Sequence, residues 1–340
     1  MNTVHVNGRF LTQPITGVQR VARELLQAVD RRLVSAAAKA PPWVLWCPPH
    51  ATPLPLQHVQ VRQAGARGLH PHLWEQAVLP WAARGARLLS LAGSSPWLPR
   101  GQVCSIHDAA VFDHPHAYTP AFSAWYRALF RRQALQAARL LTVSAFSQAR
   151  LAASLGVAAT RIGVVPNGAD HLSRVQADTS ILDLHGLRGR RFLLAVGSAN
   201  PTKNLDRLRQ AFARLPADDE LSLVIVGGVN ARVFAAGAVP GLSARVLHTG
   251  PLGDAPLKAL YQHALALVFP SLYEGFGRPP LEAMACGCPV LAAHAASLPE
   301  VCGDAALYFD PLSVGDMAAA LQRMVGDACL LYTSPSPRDS

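Results

Sequence analysis

Glu274 and Glu282 stand eight positions apart across a Gly/Pro-rich turn, in Glu274-Gly-Phe-Gly-Arg-Pro-Pro-Leu-Glu282. The chain has only six glutamates, so two in this stretch exceed what composition alone supplies. Gly275 and Gly277, on either side of Phe276, remove Cβ atoms and let a ligand approach the backbone. Pro279 and Pro280 suit a helix start, where a missing N–H costs nothing. A helix beginning there aims free N–H groups and its positive dipole end at an anion such as a phosphate. One carboxylate could then hold hydroxyls at one end of a ligand and the other hydroxyls at the far end, with phosphate between them. Two unrelated glutamates on a solvated helix give the same spacing.

Three more constellations carry chemistry. Val196-Gly-Ser-Ala-Asn-Pro-Thr-Lys203-Asn204 follows an apolar run and opens a helix. Lys203 is a point cation with three donors, suited to a diphosphate; Ser198 adds a neutral hydrogen bond. A surface lysine capping a turn is the plainer alternative. Ser105-Ile-His107-Asp108 ends a predicted strand, where His107 is either a satisfied core residue or a donor to a ligand hydroxyl. Asp113, His114 and His116 lie close in sequence, but Pro115 breaks the segment and no Asp-x-Asp occurs, so no metal site is expected. In Thr16-Gly17-Val18-Gln19-Arg20, Gly17 at the first strand-to-helix turn allows close backbone approach to a donor phosphate or an acceptor, or serves geometry alone. It is not a Gly-x-Gly-x-x-Gly fingerprint.

These residues need elements to hold them, and the chain reads as strand and helix in alternation, which argues for an α/β protein with parallel sheets. Predicted strands in the first half are Val4–Phe10, Val44–Cys47, Leu88–Ser90, Val103–His107 and Leu140–Val143. A helix opens at Gly17, with Val18, Val21, Leu25 and Val29 expected to face the sheet. Trp125–Ala138 is a basic helix, and Ser144 is the expected N-cap of a helix to Leu155. Residues 48–72 read as loops around a short strand. Residues 170–190 lack periodicity and read as the connection between domains; Pro166-Asn-Gly-Ala-Asp170 before them is either a plain Asn-Gly turn or a ligand contact. The second half offers strands at Phe192–Val196, Leu221–Val226, Arg245–His248, Ala266–Phe269, Val290–Ala292 and Leu307–Phe309. Its helices are Leu205–Leu215, Asp254–His263 and Pro280–Ala285. The expected domains are 1–175 and 186–327, with a non-native or disordered tail at 328–340, where Tyr332-Thr-Ser-Pro-Ser-Pro-Arg-Asp-Ser resembles sequencing-adapter read-through.

The chain has 340 residues, a net charge of +10 carried almost entirely by arginine, and a mean hydropathy of +0.18. A basic balance suits sugar nucleotides, anionic lipid surfaces or nucleic acid, but no nucleic-acid motif accompanies it. The helix at 125–138 sets Arg127, Arg131 and Arg132 beside Trp125 and Phe130; it either lies on an anionic bilayer or simply solvates one face. Six cysteines without a Cys-x-x-Cys pair suggest a reducing compartment, with Cys286 and Cys288 as core fillers. No apolar run reaches the length of a transmembrane helix, and the N-terminus Met1-Asn-Thr-Val-His-Val-Asn-Gly-Arg9 lacks the apolar run of a signal peptide.

Tyr273-Glu-Gly-Phe-Gly, Pro280-Leu-Glu-Ala-Met-Ala, Gly287-Cys-Pro-Val and Ser297-Leu-Pro-Glu-Val, ending in Gly303-Asp-Ala-Ala-Leu-Tyr-Phe-Asp-Pro311, resemble the retaining glycosyltransferases of family 4 over roughly residues 1–327. The resemblance implies the GT-B fold, two Rossmann-like domains with parallel sheets facing a central cleft. It implies that Glu282 binds the nucleotide ribose, that Glu274 binds hydroxyls of the donor sugar, and that His107 faces that sugar. Gly17, Ser198, Lys203, Gly275, Phe276 and Gly277 would contact the donor, Lys203 and the turn N–H groups stabilising the departing diphosphate. Many members have a basic residue where this chain has Ser198, so its phosphate grip is one charge weaker. The openings at 16–20 and 200–204 look like the mannosyltransferase branch, which makes GDP-mannose the expected donor, with no cofactor and no metal. The expected acceptor is a lipid-linked or oligosaccharide intermediate of a bacterial surface polysaccharide, met in the cytoplasm, with peripheral contact to an anionic membrane. The rival readings are an inactive or truncated sugar-nucleotide-binding module and a sugar-nucleotide epimerase on the same fold. Final helices that cross back to the first domain are expected beyond this chain's end.

Overall fold

A computed structural model describes residues 3–35, 40–52, 54–85, 87–98, 101–216, 218, 220–227 and 245–326. The chain divides into two compact units, Met1–Asn167 and Gly168–Ser340. Residues 168–175, placed with the first domain on sequence, therefore pack with the second. The tail 328–340 lies outside the described residues.

In the first unit the described strands are β1 (Val4–Asn7), β2 (Trp43–Cys47), β3 (Gln60–Gln63), β4 (Arg87–Ser90), β5 (Val103–Ser105), β6 (Arg139–Thr142) and β7 (Ile162–Val164). They form one parallel sheet in the order β3-β2-β1-β4-β5-β6-β7. In the second unit β8 (Arg191–Val196), β9 (Leu221–Val226), β10 (Val246–Gly250), β11 (Ala266–Phe269), β12 (Val290–Ala293) and β13 (Ala306–Phe309) form a parallel sheet ordered β10-β9-β8-β11-β12-β13. Parallel strands covered on both faces read as unbroken apolar runs. β9, β11 and β12 are buried along their whole length. Each sheet reverses its order beside its first strand, at β1/β4 and at β8/β11. Ligands in doubly wound sheets bind at the carboxyl ends of the strands at such switch points.

Most predicted elements sit where the sequence puts them, and Ser144 caps its helix by accepting from Ser147 N at 3.0 Å. Four expectations fail for physical reasons. The first strand stops at Asn7, because Gly8 N turns to the Trp46 carbonyl (2.7 Å) and Arg9–Thr12 coils into a short helix. The helix Gly17–Ser35 buries Val21 as expected, but also Gln19, Ala22, Leu26 and Asp30, while Val18, Leu25 and Val29 are only partly covered. Asp30 belongs inside because its carboxylate accepts from the backbone N–H groups of Gln57, His58 and Val59 at 2.7–2.9 Å; hydrophobic periodicity cannot register a charge satisfied by distant backbone. The run Pro71–Ala82 is helical where loop is expected up to residue 72: Pro71 starts it, at a position that needs no N–H, and it buries Trp74 and Glu75 completely. Residues 170–190 are not plain linker: helices Asp170–Ser173 and Ser180–Leu184 bury His171, Leu172, Ile181 and Leu182.

Candidate functional site

At the switch point of the second unit, the segments leaving β8 and β11 carry Lys203 and Glu274. Their meeting is built by asparagines. Asn200 Oδ1 accepts from Thr202 N (2.9 Å) and Thr202 Oγ1 (2.8 Å), which closes the turn Pro201–Lys203. Asn204 follows with φ of 57°, a left-handed conformation that asparagine tolerates. Its Nδ2 donates to the carbonyls of Pro270 (3.1 Å) and Pro311 (2.8 Å), and Leu272 N donates to the Thr202 carbonyl at 2.8 Å. The turn after β8 is thus stitched to the segments after β11 and β13. Lys203 Nζ consequently lies 2.6 Å from Glu274 Oε1, with the two side chains 24% and 13% exposed. Ser297 Oγ fixes the Glu274 backbone by donating to its carbonyl at 3.0 Å.

From Glu274 the chain passes through Gly275, Phe276 and Gly277 into the helix Arg278–Ala285. Gly277 has φ of +92°, and a Cβ there would stand 2.5 Å from Leu298 Cδ2, so the turn needs glycine twice over. Glu282, on the second turn of the helix, is 4% exposed. Its Oε2 accepts from the Tyr261 hydroxyl at 3.2 Å; its Oε1 accepts from Arg278 Nη2 and lies 3.3 Å from His171 Nε2. Burial alone would raise the pKa of Glu282, but the His171 hydrogen bond and the Arg278 guanidinium outweigh it and hold the carboxyl at about 2. The helix bearing His171 is anchored by Lys258 Nζ, which donates to the Leu172 and Val175 carbonyls at 2.8 Å each. The second unit therefore carries Glu274, Gly275, Phe276, Gly277 and Glu282 along one stretch of chain and brings Lys203 to Glu274 from the turn after β8, while Ser198 is exposed on that loop.

His107 and Gly17 belong to the first unit. His107 follows β5, is 9% exposed, and its Nε2 lies 2.9 Å from the Leu91 carbonyl, which assigns the proton to that nitrogen. Gly17 opens its helix with nothing within 4 Å of a Cβ placed there, so crowding does not demand glycine. Asp113 forms a bidentate pair with Arg150 (2.6 and 2.9 Å) and does not converge with His114 and His116. Among the described residues, no group of three or more His, Cys, Asp or Glu is placed to hold a metal ion.

Sequence reasoning missed three groups. His171 sat in the supposed linker, and only tertiary contact takes it to Glu282. Arg278 lies inside the motif between the two glutamates; its detectable signal is a cation in a helix's first turn, where the dipole disfavours it. At the switch point of the first unit, Asn7 Nδ2 donates to Glu75 Oε1 (2.6 Å), and Arg9 Nε pairs with Glu75 (3.2 Å) and donates to Ser94 Oγ (3.0 Å). All four are buried.

The description Glycosyltransferase Family 4 matches residues 15–171, and Glycosyl transferases group 1 matches residues 184–332. The O-antigen chain mannosyltransferase B of Escherichia coli is 32% identical over 276 residues, 77% of this chain and 70% of that protein. The MMP alpha-(1->4)-mannosyltransferase of Mycolicibacterium hassiacum is 35% identical over 214 residues, 61% of this chain and half of its own length. Among solved structures, sucrose-phosphate synthase from Thermosynechococcus elongatus superimposes with a TM-score of 0.74 at 19% identity, covering 98% of this chain and 92% of that one. HepE of Anabaena, in complex with UDP-glucose, gives 0.72 at 17% identity, covering 97% and 92%. These likenesses to solved structures establish the fold, and the sequence matches establish the kinship: this chain belongs to the GT-B glycosyltransferases of family 4, among relatives named as bacterial mannosyltransferases.

Proposed function

We propose that this glycosyltransferase moves a hexose, first of all mannose from GDP-mannose, to a lipid-linked or oligosaccharide acceptor in surface polysaccharide synthesis on the cytoplasmic side. The observation that carries this is the turn 274–282, which sets a carboxylate at each end of a glycine-lined stretch, with Lys203 beside the first. Glu282 takes the ribose hydroxyls and Glu274 the sugar hydroxyls. The diphosphate lies between, against Lys203 and the N–H groups of the turn. Donors already aimed where charge develops on the leaving diphosphate lower the barrier most. His107, whose Nε2 proton goes to the Leu91 carbonyl, accepts from a hydroxyl of the sugar through Nδ1. Transfer proceeds with retention, by attack on the face the diphosphate leaves, the leaving phosphate oxygen taking the acceptor's proton. No divalent metal is required.

The helix Pro120–Gln136 supplies a surface for peripheral contact with an anionic bilayer. Phe122 (42%), Trp125 (39%), Leu135 (79%) and Arg131 are exposed along it. Among the described residues no helix is long and apolar enough to cross a membrane.

The test is transfer from GDP-mannose, UDP-glucose and ADP-glucose to a lipid-linked acceptor extract, with and without a chelator, and anomer assignment by NMR. Mannose transfer from GDP-mannose with the α-linkage kept supports the proposal. Inversion, loss of activity in chelator that manganese or magnesium restores, or release of sugar without transfer each removes the corresponding part.

A further inference from the structure

Glu274 and Glu282 are each held by a cation in this structure: Lys203 on the first, Arg278 on the second. Glu282 is also the more heavily engaged. Arg278 and His171 share Oε1 while Tyr261 takes Oε2. If two ribose hydroxyls come to this carboxylate, one of the three donors has to give way. Tyr261 is fully buried and His171 is 4% exposed, anchored through a helix that Lys258 pins. Arg278 has the most accessible side chain of the three, at 15%, and sits on a long flexible stem at the first position of its helix. It is the donor able to leave.

The guanidinium has one favourable place to go. Arg278 directly follows the glycine turn whose N–H groups would meet the diphosphate. The diphosphate of a sugar nucleotide is doubly charged and gains a further charge as the sugar departs. Ser198, on the loop after β8, brings no charge, which leaves Lys203 as the cation that loop contributes. A cation in the first turn of a helix is unfavourable against the dipole, and a bound anion would remove that penalty. We propose that Arg278 is a second diphosphate-binding cation, stored on Glu282 in the free protein and handed to the diphosphate when the ribose hydroxyls take that carboxylate. This rests on reading Glu282 as the ribose carboxylate. The exchange makes the two ends of the nucleotide bind together: the ribose releases the cation that the phosphates need. A guanidinium also offers two parallel donors to phosphate oxygens, which lysine cannot.

The test is calorimetric titration of the whole chain with inorganic pyrophosphate, GDP, UDP and the two nucleosides. The variants are Arg278→Leu, Arg278→Gln, Arg278→Lys, Glu282→Gln and the double change Ser198→Arg with Arg278→Leu, each checked by circular dichroism. Charge-assisted hydrogen bonds to phosphate are worth enough that Arg278→Leu should weaken pyrophosphate and the bound nucleoside diphosphate by about tenfold or more. Nucleoside affinity should hold or improve, because Glu282 loses a competitor. Arg278→Lys, which keeps the charge but not the fork, should retain part of the affinity, and Ser198→Arg should restore part of it to the leucine variant. If Arg278→Leu unfolds, Arg278→Gln gives the same reading with the stem kept. Unchanged or tighter binding of both pyrophosphate and the nucleoside diphosphate would overturn the proposal and leave Arg278 as a plain neutraliser of Glu282. Glu282→Gln separates the two ideas. If it leaves nucleoside affinity unchanged, the ribose reading fails, whatever pyrophosphate does with the Arg278 variants.

Discussion

Glu282→Gln should destabilise the second domain and leave the first untouched. The carboxyl is brought from an ordinary 4.5 to about 2. At 1.36 kcal/mol per unit, that depression stabilises the folded domain by about 3 kcal/mol at neutral pH. The folded pKa lies below the unfolded one, so the contribution is complete above pH 4.5 and disappears as pH falls through 2. It is about 2 kcal/mol at pH 3.5 by the same linkage. Glutamine keeps an oxygen for Tyr261 or His171 but removes the charge facing Arg278, so the loss at pH 7 should approach that figure. With a urea slope of about 2 kcal/mol/M the midpoint moves down by about 1.5 M. The chain provides its own control: Trp43, Trp46, Trp74, Trp81, Trp97 and Trp125, its six tryptophans, all lie in the first unit. Tryptophan fluorescence therefore follows the first domain and far-ultraviolet circular dichroism follows both, which a two-unit protein requires. The expected result is a lower second transition by dichroism, an unmoved fluorescence transition, and a gap between wild type and variant that narrows from pH 7 to pH 3.5. A gap independent of pH, or a fluorescence transition that shifts with the dichroism, would refute the reasoning.

Three further outcomes follow from named contacts. Lys203→Met should weaken a nucleoside diphosphate about tenfold or more while sparing the nucleoside; equal losses in calorimetry would make Lys203 structural. Glu274→Gln and His107→Ala should each cut turnover strongly without weakening the bare nucleoside diphosphate more than about twofold, because that ligand lacks the sugar and Glu274→Gln releases Lys203. Collapse of its binding in a folded variant would mean that the donor lies the other way round. Gly8→Ala puts a Cβ 2.4 Å from the Trp46 carbonyl oxygen, which backbone must move to relieve. It should destabilise the first domain by about 1–3 kcal/mol, seen as a lower fluorescence midpoint.

The alternation of apolar runs with Gly, Pro and Ser was enough to place nearly every strand and the α/β class, because strands buried on both faces leave a local signature. The glycine turn at 275–277 and the helix start after it were equally legible, since a left-handed glycine and prolines in a helix's first turn are local features. The sequence is silent where polarity is satisfied from far away. Asp30 is buried by three N–H groups of the segment entering β3, and Glu75 by Asn7 and Arg9. No local pattern distinguishes such charges from solvated ones. His171 reads as linker until its helix docks, and Arg278 reads as surface charge until it folds back on Glu282. The residues we propose to touch a ligand lie in short motifs. The partners that hold those residues in place, and set their charge, come from contacts up to 111 positions away, which only the tertiary structure decides.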